Sequence, residues 1–324
     1  LAVGAQTIVP LLRVVQAPRG ASKATLLGEA LAKGEATVTE VCLDGSVNEV
    51  RVRHAGKELL LLLDGDQLLG ARQNRVFNAS FLVMPGSDVV LPVSCVERGR
   101  WAYQGGEGDA AARHGGPADP QYGHDGPGDG DGGDGDGGAM AFSASNVTAT
   151  MMIRSQKMRR VTTSVRQGRG YDADQRAVWT DVDNYLKKSG VYSTTAALQD
   201  GIDSRRAAAD RALIQIPAQP TQIGMALVVD GALVAMDLFG SPELYASSHE
   251  KIVRGILTGI DSSGPARGDA RQVVSDVITR LGRAKASRRP APGCGDTLHG
   301  ELDELAFAAV VHEGEAYHAM VAGA

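Results

Sequence analysis

Polar and ionic side chains follow an apolar run early in the chain. Gln73, Asn74 and Arg75 come shortly after the leucine-rich run 59–63, and Asn78 lies three residues further on. A guanidinium and side-chain amides match a ligand that offers phosphate or carboxylate together with hydroxyl or amide groups. Because side chains alternate along a strand, Gln73 and Arg75 should share one face, and Asn74 and Asn78 the other. These four residues are our predicted ligand-binding group.

A structural role is the alternative interpretation of the same residues. A buried polar group without a partner costs about 1–3 kcal/mol, so side chains at this point need partners whether or not a ligand binds. In that interpretation they cap loop backbone or pair with Asp64 or Asp66. Both interpretations have equal weight on the sequence. Asp66 is also a candidate catalytic carboxylate.

A second polar group follows the next apolar segment and contains Cys95, Glu97, Arg100 and Trp101. A cysteine beside an arginine can be nucleophilic, although a cysteine buried in a strand is more often inert packing. Glu97 is the better catalytic candidate, either as a general base or as an anchor for Arg75. Arg100 is a further candidate for ligand contact. Trp101 either stacks on a base or sugar, or closes the end of the β core.

The elements that must position these groups predict an α+β fold. The first half alternates as antiparallel strands do, and the second half has hairpins and helices in the order hairpin, helix, helix, hairpin. We therefore expect an antiparallel, β-rich N-terminal half and a C-terminal half of β-hairpins covered by helices. The predicted strands are 37–41, 50–53, 59–63, a hairpin of 76–84 with 89–96, two strands within 143–166, and the hairpins 223–239 and 305–321. The predicted helices are about 25–33, 174–188, one capped at 193–195 and ending near 211, 241–257 and 269–284, and 285–289 is a predicted loop.

The composition changes abruptly in the middle of the chain, where glycine and aspartate dominate. Such a segment buries too little apolar surface to offset its ordering entropy. A calcium-binding repeat is the alternative, but its regular apolar residue is missing. We predict a β-rich domain at 1–104 that carries the polar site, a disordered Gly/Asp-rich insertion at 105–142 and an α+β domain at 143–324.

Composition also argues against several classes of function. A net charge of -5 gives no general attraction to nucleic acid or anionic membranes, and no apolar run approaches the length of a membrane span. The three cysteines and seven histidines lack metal-ligand spacing. No GxGxxG, Walker A, HExxH or GxSxG motif stands in a usable context. We predict a cytoplasmic protein with no metal, cofactor, nucleic acid or membrane partner.

The same blocks of residues resemble a bacterial family named for its association with ADP-ribosylglycohydrolases and rhodanese-phosphatase proteins. The matching blocks are 63–75, 92–101, 174–179, Gly224 with 237–240, and the hairpin near His312. The resemblance implies a setting in NAD or ADP-ribose metabolism, and it supplies no established reaction. Asp66 stands where the family often has Glu, Arg72 stands where Lys is common, and the Gly/Asp insertion is a departure from the family pattern.

Two hypotheses from different classes follow, and they leave open whether the chain is an enzyme. In the first, the chain is a ligand-binding or hydrolytic accessory protein that takes an ADP-ribose-like small molecule. In the second, it is a non-enzymatic structural or interaction module that recruits a partner enzyme. A cysteine-dependent transferase built on Cys95 ranks third.

Overall fold

The computed structural model describes residues 2–3, 6–12, 23–41, 48–99, 140–259 and 268–323. The strands are β1 (Ala2–Val3), β2 (Gln6–Leu12), β3 (Thr25–Leu26), β4 (Ala36–Glu40), β5 (Glu49–His54), β6 (Leu60–Leu62), β7 (Asp66–Gly70), β8 (Arg75–Phe77), β9 (Phe81–Val83), β10 (Asp88–Cys95), β11 (Phe142–Thr148), β12 (Gln222–Val229), β13 (Ala232–Phe239), β14 (Ser287–Pro290), β15 (Asp296–Leu302), β16 (Leu305–His312) and β17 (Glu315–Ala322). The helices are α1 (Leu27–Ala32), α2 (Met151–Arg166), α3 (Gln175–Ser189), α4 (Leu198–Leu213), α5 (Pro242–Thr258) and α6 (Ala270–Leu281). The predicted α+β class is confirmed.

Six strands form a small barrel that carries the first polar groups. Their order is β11-β7-β8-β10-β5-β4, and the two edge strands meet through a bridge between Thr39 and Ala141. Apolar side chains such as Val38, Phe77 and Val93 fill the interior and are buried. Because Arg75 and Cys95 follow the same alternation as Phe77 and Val93, they face the interior at one end of the barrel.

A three-stranded sheet, β3-β6-β9, lies between the barrel and the second half of the chain. Its central strand β6 belongs to the leucine-rich run. Leu60 and Leu62 pack into the core of the barrel, whereas Leu61 and Leu63 pack into the core formed with α2, α5 and the large sheet. Both faces of this strand are therefore buried, which explains why its sequence is continuously apolar.

The largest sheet has eight antiparallel strands in the order β1-β2-β12-β13-β17-β16-β15-β14. Helix α6 packs on one face through Ala270, Val274 and Val277. Helices α2 and α5 contribute to the core on the other face, through residues such as Met158 and Ile252. The Asp230-Gly231 hairpin between β12 and β13 and the last hairpin, β16 with β17, are confirmed.

The segment 143–166 differs from its prediction as two strands. Its first part is strand β11, but residues 151–166 form helix α2. The β-branched run near Val161 misled the prediction. The buried residues Met151, Met158, Val161 and Val165 recur at spacings of three, four and seven, which is the helical period. This correction matters because α2 carries two buried cations.

Three further predictions need adjustment. The predicted strand 76–84 breaks at Asn78-Ala79-Ser80 into β8, which pairs with β10, and β9, which pairs with β6. Residues 287–290, predicted as loop, form an edge strand. Helix α4 begins at Leu198, and Ser193 accepts a hydrogen bond from the amide of Ala197.

Strand pairing crosses the predicted domain boundaries at two points. Strand β2 pairs with β12 in the large sheet, and β11 pairs with β7 in the barrel. The division at 104 and 143 stays a prediction, and the Gly/Asp-rich residues 105–139 lie outside the described residues. Within the described part of the chain, no helix is long and apolar enough to cross a membrane.

Candidate functional site

The interior end of the barrel holds four polar residues, Glu40, Gln73, Arg75 and Cys95, which we call the barrel-end group. The Arg75 guanidinium donates to the Cys95 thiol sulfur, to Gln73 Oε1 at 3.5 Å and to Glu40 Oε1 at 3.4 Å. Cys95 Sγ lies 3.2 Å from Gln73 Oε1. Burial lowers the pKa of Arg75, and the charge of Glu40 opposes that shift. The structure therefore brings together three predicted site residues and adds Glu40, which the sequence did not indicate.

The opposite face of the same strand segment joins the barrel to the helices. Asn74 Oδ1 accepts from the amide of Gly70 at 3.1 Å. Glu97 Oε2 accepts from the amide of Asn74 at 3.1 Å, and its Oε1 accepts from the Thr195 hydroxyl at 2.8 Å. Glu97 thus holds loop backbone from two parts of the chain. The carboxylate that pairs with Arg75 is that of Glu40, whereas the Glu97 carboxylate accepts from Asn74 and Thr195.

Of the four remaining predicted residues, Asp66 and Asn78 lie away from the barrel-end group, and Arg100 and Trp101 cannot be placed. Asp66 accepts from the amide of Leu63 at 3.2 Å and forms an ion pair with Lys251 at 2.7 Å. Arg100 and Trp101 lie outside the described residues. The proposed ligand contact of Arg100 and the stacking or core-closing role of Trp101 therefore stay predictions.

Asn78 lines a cleft between the barrel and the second half of the chain. Its Oδ1 accepts from the Ser94 hydroxyl at 2.7 Å, and its amide nitrogen donates to the carbonyl of Tyr171 at 2.9 Å. The cleft has a volume of about 350 Å³. It is lined by Asn48, Glu49, Asn78, Pro92, Val93, Ser94, Tyr171, Asp172 and Gln175. The lining is predominantly polar and comes from both halves of the chain.

A basic concavity of about 520 Å³ adjoins this cleft, since Asp172 and Gln175 line both. We call it the arginine concavity. It is lined by Arg159, Arg160, Thr163, Ser164, Arg169, Asp172, Asp174, Gln175 and Arg176. The two carboxylates are engaged in local capping, with Asp172 accepting from the amide of Asp174 and Asp174 from the amide of Ala177. The arginines therefore set the charge of this surface.

The four arginines of the concavity differ in how they are engaged. Arg159 donates to the carbonyls of Glu304 and Gly323, and Arg160 donates to the carbonyl of Ala173 and pairs with Asp181. Arg169 and Arg176 are exposed and form no ion pair within the described residues. The buried hydroxyl of Ser164, which also lines the concavity, has no hydrogen-bond partner among the described residues. Two free guanidinium groups and an unsatisfied hydroxyl are suited to an anion.

A second set of buried charges was missed by the sequence analysis. It contains Asp64, Arg154, Lys157, Asp237 and His318, and we call it the buried ion network. Arg154 binds Asp237 through two hydrogen bonds of 2.7 and 2.9 Å, and Lys157 Nζ lies 2.7 Å from Asp64 Oδ2. His318 Nε2 lies 3.0 Å from Asp237 Oδ1. All five residues are at most 2% exposed, so these charges have been removed from water.

Mutual pairing decides the protonation states in the network. Burial alone would raise the pKa of Asp237, but the Arg154 guanidinium and the bond from His318 hold it well below its usual range. Burial alone would lower the pKa of Arg154, and Asp237 raises it above its usual value. Burial lowers the pKa of Lys157, although Asp64 opposes the shift. Asp237 and Arg154 are therefore a charged pair in the folded protein.

One local signal could have led to this network. Gly65 has a φ of +76°, and a Cβ at this position would lie 2.5 Å from Arg154 Cγ. Only glycine gives the Arg154 stem room to pass and leaves the left-handed turn unstrained. Asp64 and Asp66 were singled out in the sequence, but 143–166 was predicted as two strands, and Arg154 and Lys157 fall between the two apolar runs on which that prediction rested. Their arrival on one helix face was consequently not foreseen.

Beside the network lies an enclosed cavity of about 10 Å³, which is space for roughly one water molecule. Ser80 Oγ and His318 Nδ1 are 2.8 Å apart at its wall. Across the lining is His299, whose Nδ1 lies 3.3 Å from Thr162 Oγ1 and whose buried Nε2 has no partner among the described residues. Burial lowers the pKa of His299 to about 4. The imidazole of His299 is therefore neutral near pH 7.

Comparison of the sequence with known protein families identifies one family that matches. The model of the family described as ARG and Rhodanese-Phosphatase-superfamily-associated Protein domain matches residues 2–322. No curated protein and no solved structure matches the chain. The chain belongs to this family, whose description gives an association with other proteins and so indicates an accessory role.

Proposed function

We propose that this family member is an accessory protein that binds a phosphorylated small molecule across the cleft and the arginine concavity. The observation that carries the proposal is the continuity of the two surfaces through Asp172 and Gln175. One end offers the exposed side-chain amide of Asn48, and the other offers the guanidinium groups of Arg169 and Arg176. A ligand with a sugar or amide portion and one or more phosphates suits this arrangement.

The family description supports a narrower version of the ligand. We read ARG in that description as ADP-ribosylglycohydrolase, so we propose an ADP-ribose-like ligand and a setting in NAD or ADP-ribose metabolism. ADP-ribose has two linked phosphates between two sugars. The combined volume of the cleft and the concavity, about 350 and 520 Å³, lies in the range of sites for small molecules.

The predicted site residues take different parts in this proposal. Asn78 is buried and bonds Ser94 and Tyr171, so we propose that it shapes the cleft wall beside the ligand. Gln73, Arg75 and Cys95 are buried and bond one another, so we propose that they fix the end of the barrel instead of reaching the ligand. Gln175 connects the barrel-end group to the proposed ligand site. Its side-chain amide bonds both the N–H and the carbonyl of Cys95 at 2.8 Å, and the same residue lines the cleft and the arginine concavity.

The test is a thermal-shift titration with ADP-ribose, NAD, AMP and inorganic phosphate. A ligand that binds only the folded protein adds about 2.7 kcal/mol of stability at 100 times its Kd. In the double variant Arg169→Ala/Arg176→Ala we expect the affinity for ADP-ribose to fall at least about tenfold, as the loss of one charge-assisted contact implies. Both side chains are exposed, so this variant should fold normally.

Arg211→Ala is the matched control, because Arg211 is an exposed arginine at the end of α4 that lines none of these surfaces. It should bind as the wild type does. Equal shifts in the wild type and the double variant would refute the arginine concavity as the phosphate site. If no compound in the set shifts the wild type, the proposal of an ADP-ribose-like ligand fails.

A module that recruits a partner enzyme is the second candidate function, and one observation favours it. A groove of about 520 Å³ between α2 and α3 has apolar walls from Ile153, Val234 and Ile256. Met152 at this groove is 51% exposed. If the ligand titration is negative, co-elution with a rhodanese-phosphatase protein tests this candidate. Met152→Glu should abolish the co-elution, whereas Met84→Glu, a comparably exposed methionine elsewhere, should not.

A further inference from the structure

The enclosed cavity brings together a hydroxyl, an imidazole and a carboxylate in the order that nucleophilic catalysis requires. Ser80 Oγ lies 2.8 Å from His318 Nδ1, and His318 Nε2 lies 3.0 Å from Asp237 Oδ1. Asp237 remains ionised because Arg154 holds it with two hydrogen bonds. An ionised Asp237 accepts the Nε2 proton of His318, which leaves Nδ1 free to accept the proton of Ser80. The three residues are 80, 318 and 237 in the chain, so no sequence motif announces them.

A fourth group completes the arrangement. His299 is fully buried, it lines the same cavity, and its Nε2 has no hydrogen-bond partner among the described residues. If Nδ1 accepts from the Thr162 hydroxyl, Nε2 carries the proton and can donate into the cavity. A neutral imidazole that donates one hydrogen bond is suited to an oxyanion. A buried imidazole nitrogen left without a partner is costly in a purely structural core, and a ligand atom would remove that cost.

We propose that Ser80 is the nucleophile of an esterase centre that takes short acyl esters. The cavity as described holds about one water molecule, so an acyl group enters only when the cavity widens on its Tyr171 side. The acyl class follows from the remaining cavity wall, which is apolar and small. It is made by Ala79, Met158, Val161, Ala308, Ala309 and Met320. The cations nearest the cavity, Arg154 and Lys157, are committed to Asp237 and Asp64, so a phosphate has no free partner here. This inference does not rest on the proposed ligand site.

The reaction balances with water as the only co-substrate. Ser80 Oγ attacks the ester carbonyl carbon, its proton passes to His318 Nδ1, and the carbonyl oxygen takes the bond from His299. The ester C–O bond then breaks, and the alcohol leaves with the proton from His318. Water attacks the acyl-serine, His318 accepts a proton and returns it to Ser80 Oγ, and the carboxylic acid is released.

Tyr171 stands between the cavity and the outer cleft. Asn78 lines both the cavity and the outer cleft, and Tyr171, which lines the cleft, donates to or accepts from Thr297 Oγ1 at 2.8 Å on the cavity side. Gly168 and Gly170, just before Tyr171, both have positive φ values, 76° and 75°. Substitution of Tyr171 by Phe removes the hydrogen bond to Thr297 and keeps the aromatic ring. The barrier to entry should therefore be lower in Tyr171→Phe.

The experiment is covalent labelling with a small alkyl fluorophosphonate, followed by intact mass and tandem mass spectrometry. We expect one adduct, on Ser80, in the wild type. Tyr171→Phe should react about fivefold faster, the factor for one hydrogen bond of ordinary strength. Ser248→Ala, a buried serine on α5 that donates to the carbonyl of Leu244, should label as the wild type does. Hydrolysis of p-nitrophenyl acetate should be faster than that of the octanoate ester.

Ser80→Ala should not label, but it removes the acceptor for the Asp64 amide and can destabilise the fold. Tyr171→Phe therefore carries the falsification, because it leaves Ser80 intact. Absence of any adduct on Ser80 in both the wild type and a folded Tyr171→Phe variant would overturn the proposal. An adduct on a different serine with none on Ser80 would also overturn it, whereas equal labelling rates of Ser80 in these two proteins would refute the route of entry past Tyr171.

Discussion

The barrel-end group and the buried ion network are both polar clusters inside apolar cores, yet they are built differently. In the barrel-end group one cation faces one carboxylate at 3.4 Å, and Glu40 Oε2 has no partner among the described residues. In the network Arg154 is bound in bidentate fashion, and Lys157 Nζ contacts Asp64 and the carbonyls of Phe77 and Asn78 within 3.0 Å. The network is therefore more completely hydrogen bonded.

The difference shows what each cluster connects. The barrel-end group joins strands of one barrel, since its residues come from β4, β8, β10 and the loop before β8. The network joins three units, because Asp64 follows the three-stranded sheet, Arg154 and Lys157 lie on α2, and Asp237 and His318 lie on the large sheet. Removing one partner leaves an uncompensated buried charge in either cluster. At Asp237, however, the network also loses two short hydrogen bonds to Arg154, of 2.7 and 2.9 Å, whereas Glu40 accepts from Arg75 at 3.4 Å.

The largest expected effect follows from breaking the network at Asp237. Asp237→Asn keeps the size of the side chain but removes the carboxylate charge that pairs with Arg154 in bidentate fashion, and leaves that fully buried guanidinium with only the longer 3.4 Å pair to Asp64. We expect the free energy of unfolding to fall by about 3–5 kcal/mol, as for other broken buried pairs. Urea denaturation followed by circular dichroism measures this change.

Asp303→Asn is the control for that prediction. Asp303 pairs with Arg280 at 2.8 Å but is 65% exposed, and its φ of 53° is one that Asn accepts. Its cost should stay below about 1 kcal/mol, the usual range for an exposed pair. Similar costs for the two variants would show that the network has no special weight.

A pH effect is next in size and concerns His299, beside the network. Burial lowers the pKa of His299 to about 4 from 6.5. The unfolded chain therefore binds a proton in this window that the folded chain does not, so stability falls as the pH drops from 6.5 to about 4. The contribution of His299 is up to roughly 3 kcal/mol. We expect the stability of His299→Gln, relative to the wild type, to improve progressively over this window.

Met320→Leu provides the comparison for the pH effect, because it changes the same cavity wall without a titratable group. Its stability relative to the wild type should be independent of pH between 4 and 6.5. If the difference in free energy of unfolding between His299→Gln and the wild type is also independent of pH over this range, the imidazole is not buried as described.

These two clusters also show what the sequence could predict. The hydrophobic alternation predicted the α+β class, the hairpins of β12 with β13 and of β16 with β17, and the shared face of Gln73 and Arg75, because those features depend on near neighbours along the chain. The contact of Arg75 with Cys95 was not predicted, and the strands on either side of Pro85-Gly86 pair with other strands, β9 with β6 and β10 with β5 and β8. Glu40, by contrast, reaches Arg75 only because the barrel closes. The network was missed because its members are up to 254 residues apart, from Asp64 to His318, and because α2 was taken for two strands. Pairing across such distances is a property of the tertiary fold, and no local spacing encodes it.

The smallest expected effect comes from the barrel-end group, through Glu40→Gln. The substitution keeps an oxygen that can accept from Arg75 and removes one buried charge whose second oxygen has no partner among the described residues. We expect a loss of roughly 1–3 kcal/mol, below that of Asp237→Asn, in the same urea experiment. Glu29→Gln, an exposed partner of Lys33 at 2.6 Å, is the control and should cost less than about 0.5 kcal/mol. A cost for Glu40→Gln equal to that for Asp237→Asn would mean that both clusters stabilise the protein alike, and the contrast between a loosely paired barrel end and a fully bonded network would then have to be abandoned.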